Sequence, residues 1–135
     1  MASAADLALQ QAVFGVLDGD GVLAGLTTGV FDHVPGEAVL PYVVIGEATA
    51  VDWSSKSFDG QRHSLTLHVW SAALGGAEAK TILDRLYTLL HRAELTLAGH
   101  ALVLLRFEFS QTLRDVDDRT WHGVIRFGAL TRCVS

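Results

Sequence analysis

Several features that would declare a function are scarce in this chain. There is one cysteine, Cys133, in 135 residues, which excludes an intrachain disulfide and suits synthesis in a reducing cytoplasm. Two prolines, and 19% charged residues against 50% hydrophobic, exclude a disordered or low-complexity chain. Ten Lys and Arg against fifteen Asp and Glu leave a net charge of −5. The basic residues are scattered, so the chain is not one that grips nucleic acid by displacing counterions. No uninterrupted apolar run approaches the ~20 residues of a membrane span. The apolar N-terminus lacks a basic leading segment and is broken by Asp6, Gln10 and Gln11. It therefore reads as a helix rather than a signal peptide, and no membrane contact is expected.

Catalytic and metal signatures are missing too. No His-x-x-x-His or Cys-x-x-Cys spacing, Walker loop or Gly-x-Ser-x-Gly elbow occurs. Gly19, Gly21 and Gly25 imitate a dinucleotide fingerprint, but they follow a predicted helix and carry the wrong last spacing. Asp18, Asp20 and Gly21 begin like a calcium loop, yet Val22, Leu23 and Ala24 supply no oxygen ligands and no glutamate closes it. Ser54 near Lys56 is a nominal Ser/Lys pair without an elbow. Asp115, Asp117 and Asp118 could hold a divalent ion with water, but three acids at a hairpin tip read as a solvated surface. His63, His68 and His122 fall singly within predicted strands and read as structural or surface residues. No catalytic residue, metal or cofactor is expected, and the chain is not read as an enzyme.

What is present is periodicity. The length suits one domain over 1–135, large enough for a core without staples. Ser3 with Asp6 resembles a capping box, and Leu9, Val13, Val16 and Leu17 then share a helical face. Asp18 to Gly21 ends that helix, a Gly-punctuated connection follows, and a short strand is predicted near Val30 to His33. Tyr42 to Ala48 reads as a buried strand. Leu65, Leu67 and Val69 alternate with Ser64, Thr66 and His68, the period of a half-buried strand. Ile82, Leu83, Leu86, Leu89 and Leu90 form the stripe of a second helix, with Glu78 in its first turn and His91 and Arg92 in its last.

Gly99-His100 is a hairpin turn between strands at 95–98 and 101–105, the second continuing to about Thr112 with Val103, Leu105, Phe107 and Phe109 on one face. After a polar tip from Arg114 to Arg119 comes a last strand, 120–132, with Trp121, Ile125 and Phe127 on one face. The order predicts an α+β domain, two helices against one mostly antiparallel sheet.

Five segments, in this order and spacing, resemble a known family. They are Leu-Pro-Tyr-Val-Val-Ile from Leu40, Ser-Leu-Thr-Leu-His-Val-Trp from Ser64, Glu-Ala-Lys-Thr-Ile-Leu from Glu78, Leu-Thr-Leu-Ala-Gly-His from Leu95, and Asp-Arg-Thr-Trp-His-Gly-Val-Ile-Arg-Phe from Asp118. Together they look like the tail terminator or tail-completion proteins of long-tailed phages, and most like the tail terminator of bacterial gene transfer agents. The match spans Leu40 to Thr131. The resemblance implies a homohexameric ring that caps the tail tube, ends its polymerisation and joins it to a head-side stopper at the particle's neck, with DNA passing through the lumen unbound. On the residues alone, a small non-viral binding module acting as a dimer and a small hydrolase stay open.

The candidate contact residues come from polarity rather than from the resemblance. Trp53 and Phe58 sit in the most polar stretch of the first half, Asp52 to Gln61, and aromatic side chains are favoured interface anchors. Lys56, Arg62, Arg114, Asp115, Asp117, Asp118 and Arg119 are candidate register-setting charges toward neighbouring subunits or tube proteins.

Overall fold

The computed structural model describes residues 4–115 and 119–134. In these residues the chain forms α1 (Asp6–Asp18), α2 (Gly21–Leu26), β1 (Val30–Phe31), β2 (Tyr42–Asp52), β3 (Gly60–Ser71), α3 (Ala77–Leu90), β4 (Thr96–Leu97), β5 (His100–Arg114) and β6 (Trp121–Cys133). The strands make one curled six-stranded sheet in the order β1-β2-β3-β6-β5-β4. All neighbours are antiparallel except β1 and β2. The α+β class is as predicted, with a third helix in addition.

That helix is α2, where the glycines predict a connection. Asp20 caps it, its carboxylate accepting from Leu23 N at 2.8 Å, and Leu23 is its one buried side chain. A good cap and one core contact offset two helical glycines. At α1 the reverse holds: Ala5 is the N-cap and no side chain caps the helix. Asp6 turns instead to His63, and Ser3 lies outside the described residues.

The helices lie on one face of the sheet. Leu9, Val13 and Leu17 of α1, with Ile82, Leu83, Leu86 and Leu90 of α3, bury themselves against Val43, Leu65, Leu67, Val69, Leu105, Ile125 and Phe127. At ~25 cal/mol per Å² of apolar area, this two-layer core is the main stabilising term. α3 ends at Leu90, two residues before Arg92: His91 is the C-cap, and Arg92 takes φ 61° and gives its N–H to Leu105 O at 2.8 Å. Glu78 accepts from Ser71 Oγ at 2.6 Å rather than standing free at the helix start.

The predicted shared face of Val103, Leu105, Phe107 and Phe109 does not survive. Register shifts between Leu102 and Leu104, and between Phe107 and Phe109, mark two β-bulges. Each extra residue inverts the alternation. Leu105 and Phe107 therefore pair with Ala129 and Phe127 on the helix side, whereas Phe109 pairs with Arg126 on the other face and is 41% exposed.

Candidate assembly surfaces

The face away from the helices is a polar and aromatic surface built by alternation along four long strands. β2 supplies Val44, Thr49 and Val51, β3 supplies Arg62, Thr66, His68 and Trp70, β6 supplies His122, Val124 and Arg126, and β5 supplies Arg106 and Phe109. At its centre four side chains form a chain. Glu47 Oε1 lies 2.9 Å from His68 Nε2, His68 Nδ1 lies 2.7 Å from His122 Nε2, and His122 lies flat on Trp70 with ring centroids 3.9 Å apart.

With the carboxylate accepting from His68 Nε2–H, a neutral His68 offers Nδ1 to His122 Nε2–H. The hydrogen bond from His68 holds Glu47 below its ordinary carboxylate value. His122 is held below the ordinary imidazole value, first by burial and then by the neighbouring His68. These histidines are not isolated, as the sequence suggests; strand pairing joins them. The bulge between Ile45 and Ala48 makes this possible: a Cβ on Gly46 would fall 2.5 Å from the His68 ring.

His63 sits on the helix face, 2% exposed. Its Nε2 lies 2.8 Å from Thr131 Oγ1, and Nδ1 lies 3.4 Å from Asp6 Oδ1, too far to satisfy that buried nitrogen with a well-made hydrogen bond. Burial pushes His63 below its ordinary value, and Asp6 offsets part of the shift.

The candidate contact residues separate into two groups at opposite ends of the sheet. Trp53, Lys56 and Phe58 occupy the β2–β3 loop at one end, with Arg62 just inside β3. Trp53 and Phe58 are half-buried and pack edge to face at 5.3 Å, and Arg132 lies 4.9 Å over Phe58. Ser54 Oγ donates to Asp52 Oδ1 at 2.7 Å and accepts from Gly60 N at 3.1 Å, so the nominal Ser/Lys pair serves this loop. Lys56 is exposed.

Arg114, Asp115 and Arg119 stand at the opposite end, where β5 turns into β6. Arg114 lies 4.8 Å over Trp121, and Asp115 N donates to Thr120 O at 2.7 Å. Asp117 and Asp118 lie outside the described residues. The same end carries Leu74, 103% exposed, and Val39, 66% exposed, two apolar tips that the sequence pattern does not single out.

The two faces also carry hollows. One of about 450 Å³ on the open face is lined by Thr49, Val51, Arg62, Leu104, Arg106 and Glu108. Another of about 620 Å³ runs between α3 and β5, past Leu83, Tyr87, Phe107 and Ser110. Among the described residues no three His, Cys, Asp or Glu side chains converge to hold a metal ion, and no helix is long and apolar enough to cross a membrane. Gly21 and Gly25 are helical, so the glycine fingerprint forms no phosphate loop.

The sheet is covered by helices on one face, ties the polar groups of its open face to one another, and carries the candidate contact residues at its two ends. Residues 11–132 match the family model of tail completion protein gp17. The chain is 30% identical over 122 residues to tail completion protein gp17 of Bacillus phage SPP1, covering 90% of each. It superposes with a TM-score of 0.90 at 32% identity on a chain of the virion of a native gene transfer agent particle, covering 97% of this chain and 99% of that one. On bacteriophage SPP1 gp17 protein the TM-score is 0.65 at 27% identity, over 97% and 91%. The chain belongs to the gp17 family of phage tail-completion proteins.

Proposed function

We propose that this protein is the tail terminator of a phage or gene-transfer-agent particle. Six copies form a ring at the neck, cap the tail tube, stop its polymerisation and join it to the head-side connector. The observation that carries this reading is the end-to-end likeness, at a TM-score of 0.90, to a chain of a gene transfer agent virion. It is a structural part and not an enzyme, in keeping with its relatives' names. Synthesis takes place in the bacterial cytoplasm, ahead of assembly at the neck.

The placement of the candidate residues suits a piece that touches two partners. The β2–β3 loop at one end and the β5–β6 tip at the other are separated by strands of 11 to 15 residues, roughly 35–50 Å at ~3.3 Å per residue. One end can meet the tube while the other meets the head-side stopper. Copies that each carry −5 repel a polyanion, so DNA can traverse the lumen without being trapped.

The test is to mix the purified protein with purified tail-tube protein and to measure tube lengths and tube ends by negative-stain electron microscopy. Shortened tubes with a six-fold ring at one end are expected. Tubes of unchanged length and bare ends, with the protein folded, would overturn termination.

A further inference from the structure

The outer edges of the sheet are each half covered, and the bare halves lie at opposite ends. On β5, β4 pairs with His100 and Ala101, Arg92 N donates to Leu105 O, and His91 Nδ1 accepts from Phe107 N at 2.9 Å. From 108 to 113, among the described residues, no outer partner takes the backbone. On β2 the cover is β1, paired at Val43 and Val44. Among the described residues, the backbone of the stretch 45–52 beyond it bonds only to β3. Neither bare stretch contains the Pro or Lys that blunt an exposed edge.

From this geometry, and resting on the ring reading above, we infer that copies join edge to edge with a stagger. The 108–113 stretch of β5 in one copy pairs antiparallel with the 45–52 stretch of β2 in the next. The direction follows from topology. β2, β3, β6 and β5 alternate in direction, so β5 of one copy and β2 of an identically oriented neighbour run opposite ways. Such a contact is heterologous and closes into a ring.

The stagger follows from the covers and the side chains. Through the ladders Thr49, Ser64, Gly128 and Arg106 are level. An unstaggered contact would set Thr49 against Arg106 and press β2 onto the covered part of β5. Moving four rungs along β5, to Gln111, sets Thr49 against Gln111 and Val51 against Phe109.

Those last two side chains are 53% and 41% exposed in the single copy, and a β-branched residue opposite an aromatic one is a favourable cross-strand pair. Four rungs are about 14 Å along the strand, and four strands are about 19 Å across. Keeping all copies at one height then tilts the strands roughly 35° from the ring axis, a tilt closed sheets adopt.

The test uses the full chain with Cys133→Ser, assembled on tube ends and then oxidised. The double variant Thr49→Cys/Gln111→Cys should give a ladder of cross-linked species on a non-reducing gel. Thr49→Cys/Arg106→Cys should give none. All three positions are exposed, so the fold tolerates the changes. On the unmodified protein, amide exchange in 45–52 and 108–113 should slow by about tenfold or more on ring formation.

Rings visible by microscopy, with no ladder from Thr49/Gln111 and unchanged exchange in both stretches, would overturn the edge contact while leaving the ring intact. A ladder from Thr49/Arg106 alone would overturn the stagger. Tubes without any ring would overturn the ring reading and this contact with it.

Discussion

Arg85 holds Asp20 with two parallel hydrogen bonds, Nε to Oδ2 at 2.9 Å and Nη2 to Oδ1 at 2.7 Å. The same carboxylate caps α2 through Leu23 N, so one side chain starts a helix and fastens it to α3. The Arg85 hydrogen bond first, and the Leu23 N–H next, hold Asp20 below the ordinary 3.8. Because the folded value is the lower one, this contribution is present above about pH 3.8 and is lost as pH falls through the folded value. Asp20→Ala removes both cap and pair and should lower Tm more than Arg85→Ala, with Asp20→Asn between them. Equal falls for all three in thermal melts at pH 7 would show that the cap adds nothing.

A second pH dependence lies higher. The unfolded chain takes up a proton at His63 and His122 near pH 6.5, while burial keeps both neutral in the fold. Their folded values are depressed, so stability is whole above about pH 6.5 and falls as pH drops from there toward the folded values. Tm should decline between pH 7.5 and 5.5, and the decline should flatten in His63→Gln/His122→Gln. An undiminished decline in that variant would assign the dependence to other groups.

What the sequence made legible is local. The stripe through Ile82, Leu86 and Leu90 and the alternation through Leu65, Leu67 and Val69 are set by neighbours a few residues apart, and both elements form where the pattern places them. What stayed hidden depends on which strands adjoin. His68 and His122 are 54 residues apart and meet only because β3 lies beside β6. The bulges in β5 carry no glycine to mark them, and the two glycines of α2 disguise a helix that Asp20 and Arg85 sustain. The two contact groups read as companions in the polarity pattern, yet the length of the strands puts them at opposite ends.

Two glycine substitutions should move stability in opposite directions. A Cβ on Gly60 would meet Trp53 O at 2.7 Å and Thr131 O at 2.9 Å, backbone atoms that cannot swing away. Gly60→Ala should cost about 1–3 kcal/mol in urea unfolding. Gly15, in the middle of α1, has nothing within 4 Å, and Gly15→Ala should stabilise by about 0.5–1 kcal/mol. A stabilised Gly60→Ala would contradict the crowding at the base of the loop.

Trp53 and Phe58 are proposed as contact anchors, although they also pack on each other. Trp53→Ala and Phe58→Ser should leave the far-ultraviolet dichroism of the chain intact and abolish ring formation or head joining in the tube assay. If both variants cap and join as the parent does, the loop has only a local structural role.

The paired bulges give β5 an unusual relation between position and tolerance to change. Its helix-facing side chains run Leu102, then Leu105 and Phe107, then Ser110 and Thr112, a sequence that changes phase twice within one strand. A saturation scan of β5 should therefore show a rhythm that slips at Val103 and again at Glu108. Deleting Glu108 would take the extra residue out of the second bulge, leaving Phe107 and Ser110 on the helix side and Phe109 opposite Arg126, so the strand would keep its faces and should tolerate this loss better than the loss of a residue between the bulges.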